Sequence, residues 1–141
     1  MIFTSNFKIA GNLPQAVAIS LGVPRGWTGR RYTRLAPNRR LVKIMDPTIF
    51  TRLYKAEVLD KLDPMRVITD LGGDNFILCC WEPPGEFCHR RVVAAWLRKH
   101  TGVLVEEFIP SHKCHAEWLR RLQERKPYEP IDETIWDGPD G

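Results

Sequence analysis

The chain has 141 residues, 43% of them apolar and five of them Trp, which suits one domain with a closed core rather than two. Its net charge of +4 is lopsided: residues 1–43 hold eight Lys/Arg and no acid, whereas residues 127–141 hold five acids and no base. No run approaches the roughly 18 apolar residues of a membrane span, the opening Met1-Ile2-Phe3-Thr4-Ser5-Asn6 lacks a signal-peptide pattern, and the four Cys do not form a secreted disulfide framework.

A cytoplasmic protein with reduced thiols and no membrane partner is therefore expected. The charge asymmetry points to a polyanionic partner, or to a tail that folds back on the basic part. An ordinary solvated basic loop would leave the same trace.

Ile2-Phe3-Thr4-Ser5 is β-branched and aromatic and reads as a short strand, broken by Gly11-Asn12-Leu13-Pro14. Ala16-Val17-Ala18-Ile19-Ser20 is a continuous apolar run, as in a strand buried on both faces. Residues 25–43 read as one long Arg-rich loop, a length uncommon in compact domains. Asp46-Pro47 and Asp63-Pro64 each start a helix, the Asp as cap and the Pro in the first turn. Gly72-Gly73 stops the second.

Phe76-Ile77-Leu78-Cys79-Cys80 is the clearest buried strand, and Trp81 to Glu86 is a loop. A helix follows from Cys88 to His100, ended by Gly102. Val103 to Phe108 is a further strand, and residues 112–125 a last helix. A single domain is expected over 1–126, with 127–141 an acidic tail that Trp136 pins to the body.

Helices alternating with buried strands predict a small Rossmann-like α/β fold: a mostly parallel sheet of four or five strands with helices on both faces. Ligands of such sheets bind beyond the carboxyl ends of the strands. Ser5-Asn6, Ser20 to Arg31 and Trp81 to Arg91 are expected to emerge there.

The densest chemistry is a buried strand ending in Cys79-Cys80, a Pro-Pro-Gly loop, and a helix opening with Cys88-His89-Arg90-Arg91. A helix start offers unpaired N–H groups and a positive dipole end, so it suits a phosphate and lowers the pKa of a nearby thiol. Four readings stay open here. One is an anion or nucleotide site using Cys80, Arg90 and Arg91. A second is covalent chemistry by Cys88 or Cys80 with His89 nearby, although neighbours on a helix do not face each other. A third is zinc, for which Cys79, Cys80, Cys88, His89, Cys114 and His115 are enough ligands. Their spacing matches no Cys-x-x-Cys pair, so no metal ligand is assigned. The fourth is Cys packed as a small apolar residue. A Cys-x5-Arg phosphatase loop, a Gly-Lys-Ser/Thr phosphate loop and a Gly-x-Gly-x-x-Gly turn are all absent.

Leu78 with Cys79 or Cys80, then Glu82, a short Pro/Gly loop, and Cys88-His89-Arg90 before an apolar helix resemble the signature of the family named domain of unknown function 488 (DUF488). Ala18-Ile19-Ser20 through Pro24-Arg25 is similar to that family's second strand and its Arg/Pro loop, and Ser5 occupies the place of a Ser after its first strand. The resemblance spans about residues 1–108. It implies a small cytosolic bacterial or phage α/β protein with its site at these residues, and it assigns no activity. The doubled Pro83-Pro84 and the acidic extension depart from the pattern.

Arg25, Arg30, Arg31, Arg34, Arg39, Arg40 and Lys43 lie close together, with Trp27 and Tyr32 among them. Arg grips phosphate through a two-pronged fork, and aromatics stack on bases. No helix-turn-helix, zinc-finger or RNA-recognition signature accompanies them.

The expected ligand is a phosphorylated nucleoside or nucleic acid, held in one cationic pocket by Ser5, Ser20, Arg25, Arg30, Arg31, Cys80, Arg90 and Arg91. Cys88, Glu82 and His89 are the candidates for processing it. No cofactor is called for. The alternatives are a non-enzymatic nucleic-acid or interaction module and a structural zinc protein.

Overall fold

The computed structural model describes residues 2–73, 75–83, 86–108 and 136. The expected helix at 112–125, and the tail apart from Trp136, lie outside them.

Five strands form one sheet: β1 (Ile2–Asn6), β2 (Ala16–Ala18), β3 (Arg30–Arg31), β4 (Ile77–Cys80) and β5 (Val105–Glu107). The order is β3-β2-β4-β1-β5, and every pair is parallel. Among the described residues five α-helices accompany it: α1 (Phe7–Ala10), α2 (Arg39–Val42), α3 (Pro47–Glu57), α4 (Pro64–Asp70) and α5 (His89–Thr101).

Both Asp-Pro starts fold as expected. Asp46 Oδ1 accepts from the N–H groups of Thr48 and Ile49, and Asp63 Oδ1 from that of Met65. Such caps contribute about 1 kcal/mol each. Helix α5 ends at Gly102, whose φ of 73° is the left-handed conformation that spares only glycine a Cβ penalty.

Side chains alternate across the sheet as strand geometry requires. Ile2, Val17, Ile19 and Leu78 face α3, α4 and α5, where they pack with Phe50, Tyr54, Val67, Val92 and Leu97. Ala16, Ile77 and Cys79 face the other way, toward Phe7, Ile9 and Ala10 of α1 and toward Trp27. A fully buried Leu such as Leu78 or Leu97 contributes roughly 1.5–3 kcal/mol. Trp136, also buried, joins the larger core, its ring 6.0 Å from that of His100.

Residues 25–43 correct the reading of one long loop. They hold β3, a 3-10 turn at Thr33–Leu35, and α2 capped by the Asn38 side chain on the Leu41 N–H. A two-residue edge strand of exposed Arg has no apolar signal; its pairing with Val17 and Ala18 is a backbone matter. Helix α1 escaped for a similar reason. It has only four residues, held by the Asn6 side chain on the Ile9 N–H.

The connection after β1 runs through α1 on one face, and that after β4 runs through α5 on the other. Strands β1 and β4 are neighbours, with Asn6 level with Cys80. Between their carboxyl ends lies the topological switch point, where sheets of this kind bind ligands. Among the described residues no helix is long and apolar enough to cross a membrane.

Candidate functional site

Strand β4 delivers Cys80 to the switch point on the α5 side, because Cys79 before it faces α1. Helix α5 begins at the same place. Cys88 is its N-cap, with φ −154° and ψ 150°, and makes no side-chain capping bond. The Cys80 and Cys88 sulfurs are in direct contact as a disulfide, their Cα atoms 7.7 Å apart. Both residues are buried.

His89 is the first helical residue. Its Nε2 donates to the Ile19 carbonyl at 2.7 Å, just beyond β2. Burial, above all, lowers its pKa to about 4, a direction the Arg90 charge reinforces and the Ile19 hydrogen bond opposes. The imidazole is therefore neutral at pH 7. With its proton on Nε2, Nδ1 keeps a lone pair, and that lone pair lies 3.7 Å from Cys88 Sγ. The Tyr54 ring packs edge-on against His89 at 5.6 Å.

Helical neighbours were not expected to pair readily as nucleophile and base, yet the Cys88 sulfur and His89 Nδ1 do approach each other. That expectation assumed that both are helical, whereas Cys88 is extended and only His89 is in the helix.

Arg90 is fully buried, and its guanidinium is spoken for. Nε donates to Glu107 Oε1 at 3.1 Å and Nη2 to Oε2 at 2.8 Å. Nη1 reaches the Glu82 carbonyl oxygen at 2.8 Å and Cys80 Sγ at 3.1 Å. Thr4 Oγ1 donates to the same Glu107 carboxylate at 2.8 Å. Arg90 therefore stiffens the site rather than offering a free cation. Its ion partner is the Glu107 carboxylate, while Glu82 Oε2 lies 3.4 Å from Cys80 Sγ. Cys79 is a different kind of thiol. Burial pushes it up to about 12, so it stays protonated and inert.

The remaining predicted residues scatter. Ser5 lies on the α1 face and donates to the Phe108 carbonyl at 3.4 Å. The Ser20 hydroxyl bonds to the Gly22 carbonyl within its own loop. Arg91 sits half-buried in the first turn of α5.

Arg25 and Arg30 line a groove of about 480 Å³ with Phe7, residues 11–14 and Trp27, and Arg30 Nη1 also donates to the Leu71 carbonyl at 3.1 Å. Arg31 lines a second groove, of about 640 Å³, with Leu21, Arg34, Glu57 and Lys61, and its Nη2 donates to the Leu21 carbonyl at 3.3 Å. Cys88 lines neither of these two grooves. The basic side chains of the second groove adjoin the loop after β2, two residues beyond the carbonyl that holds His89. Trp81 Nε1 donates to the Gly22 carbonyl at 3.0 Å and ties the segment after β4 to that loop.

Glu107, Thr4, Tyr54 and the Ile19 carbonyl were not singled out by sequence reasoning. Only Glu107 left a trace, as one of two adjacent acids, Glu106 and Glu107, in a stretch otherwise apolar from Val103 to Phe108.

A family model described as the active DUF488-N3 subclade matches residues 9–101, a span that holds Ile19, Cys80, Glu82, Cys88, His89, Arg90 and all of α5. No curated protein and no solved structure gives a significant match.

Proposed function

The chain belongs to the DUF488 family, and from that premise we propose that it binds a phosphorylated nucleoside or nucleic-acid end beyond the carboxyl edge of its sheet and processes it through Cys88. The observation that carries this reading is the Cys88–His89 pair, with Sγ 3.7 Å from a lone pair whose ring is locked by the Ile19 carbonyl. In the dithiol form Cys88 supplies the nucleophile and His89 Nδ1 accepts its proton. The resting pair is neutral, because a buried imidazolium is costly. The positive end of the thirteen-residue α5 favours both the thiolate and an anionic group brought against it.

Arg31, Arg34 and Lys61 in the adjoining groove supply the cations that Arg90, paired with Glu107, does not. We assign the activity to the cytoplasm of a bacterial or phage-infected cell, whose reducing thiol pool would hold the Cys80–Cys88 pair in the dithiol form that the reading requires.

The test uses reduced protein in EDTA. Iodoacetamide followed by mass mapping is expected to label Cys88 well before Cys79, and at least one member of a nucleotide panel to raise the melting temperature. Equal labelling of Cys79 and Cys88 would sink the thiol half. A folded protein stabilised by no nucleotide would sink the ligand half.

A second reading is favoured by the exposure of Arg25, Arg30, Arg31, Arg34, Arg39 and Arg40. These side chains can dock on nucleic-acid backbone without any reaction. Contact with about three phosphates predicts that affinity for a single-stranded oligonucleotide falls about ten-fold or more between roughly 50 and 200 mM salt. Absence of binding at the lower salt rules this reading out.

A further inference from the structure

We propose that Cys80, Cys88 and His89 form a three-ligand site for a soft divalent cation, Zn²⁺ being the best fit. One ligand atom from each residue lies within 4.8 Å of the others, and all three residues are buried. They come from the end of β4 and the start of α5, so no sequence spacing announces them. Two thiolates and an imidazole are a donor set that zinc takes readily.

The Cys88–His89 geometry agrees, and the two sulfurs, joined in the disulfide, would separate on reduction. With Zn–S near 2.3 Å and Zn–N near 2.05 Å, a tetrahedral ion holds its sulfur and nitrogen ligands about 3.6 Å apart. Cys88 Sγ and His89 Nδ1 are 3.7 Å apart. Metal-bound imidazoles usually donate their second N–H to a carbonyl or carboxylate, which fixes the tautomer. His89 does this through Nε2 to Ile19.

The Cα atoms of Cys80 and Cys88 stand 7.7 Å apart. That exceeds the range of about 4.4–6.8 Å usual for disulfides. Two thiolates on one tetrahedral ion are about 3.8 Å apart, which the wider backbone separation accommodates.

The electrostatics point the same way. Buried thiolates without counter-charge are costly. Arg90 Nη1, at 3.1 Å, steadies the Cys80 sulfur, and a divalent ion would balance both. The disulfide must first be opened by a thiol reductant, which supplies two electrons and is itself oxidised; binding to the resulting dithiol then releases two thiol protons to solvent. Glu82 Oε2 lies 3.4 Å from Cys80 Sγ but outside the cluster of three, so a water is the natural fourth ligand. The coordination needs no assumption about substrate. Its consequence rests on the Cys88 reading above: a bound ion holds Cys88 as a thiolate and withholds it, so metal occupancy controls the nucleophile.

The experiment is an anaerobic titration of the reduced, metal-free full chain with Co²⁺, then Zn²⁺. One equivalent of Co²⁺ is expected to give tetrahedral visible absorption and thiolate-to-metal charge transfer, both erased by Zn²⁺. Zinc should protect two of the four thiols from alkylation, and mass mapping should place them at Cys80 and Cys88. Cys80→Ser should reduce the charge-transfer band by about half.

Absence of the bands with all thiols counted as reduced, or protection at other Cys, overturns the site. The mapping needs no variant, so a misfolded Cys80→Ser leaves the test intact. Metal binding that fails while Cys88 remains selectively alkylated in EDTA overturns the metal site and leaves the thiol reading standing. Metal binding in a protein whose Cys88 resists alkylation without metal supports the site and removes the thiol reading.

Discussion

Glu107→Gln is expected to destabilise the protein by about 3 kcal/mol, the lower end of what breaking a buried ion pair costs. Urea denaturation at neutral pH measures it. The Arg90 side chain has no exposure, and Glu107 retains 17%. Two charge-assisted hydrogen bonds join them, at 3.1 and 2.8 Å. A Gln at position 107 leaves the guanidinium in the interior with one charge uncompensated. The remaining partners are a carbonyl, a sulfur and a neutral amide.

The asymmetry of exposure makes a second expectation. Arg90→Met should cost less, because the carboxylate left behind can be hydrated at the sheet edge, whereas the guanidinium cannot. Combining Arg90→Met with Glu107→Leu should recover part of the loss, as apolar replacements of buried pairs often do. Against a total stability of about 5–15 kcal/mol, the single change is large. A shift under about 1 kcal/mol would mean that the pair is solvated and that Arg90 does not hold the Cys80 sulfur as described.

Acid is expected to act through His89. Its pKa is lowered in the fold to about 4, against an ordinary value of 6.5, chiefly by burial. A lowered folded pKa means that the unfolded chain binds the proton more tightly. The stability is therefore fully present above about pH 6.5 and is lost as pH falls toward 4. A shift of this size corresponds to about 3 kcal/mol. Unfolding free energies at pH 7, 6, 5 and 4.5 should trace the loss, and His89→Gln should flatten the curve across that window. Asp70, held below the carboxylate range by hydrogen bonds from Tyr32 and Arg66, contributes only at lower pH. A wild-type stability that stays level from pH 6.5 to 4.5 would mean that the imidazole is not buried against Tyr54 and Ile19.

How much of this was legible depended on the range of the interaction. The two Asp-Pro caps, the Gly102 stop and the buried β4 are local events, each decided by a few adjacent residues, and each is readable in the chain. The cluster at Cys88, His89 and Arg90 was also visible, because polar and cationic residues at the head of an apolar helix are conspicuous. Its internal wiring was not. Whether Cys88 faces His89 depends on one residue being extended rather than helical. The partner of Arg90 lies seventeen residues away, at the end of strand β5.

The basic stretch shows the limit most clearly. Its charge was countable, and it suggested one pocket with Cys88. Parallel pairing of Arg30 and Arg31 with Val17 and Ala18 sets β3 along the sheet edge, where Arg25 and Arg30 line one groove and Arg31 and Arg34 another. Sequence alone determined the α/β class, the helix ends and the chemistry present at the end of β4, because periodicity and capping act over a turn or two. Tertiary structure decided which cysteine faces α5, that Arg90 is neutralised by Glu107, and that Cys80, Cys88 and His89 converge. Those outcomes depend on strand register and on crossovers that bring distant segments to one edge, and no local pattern encodes them.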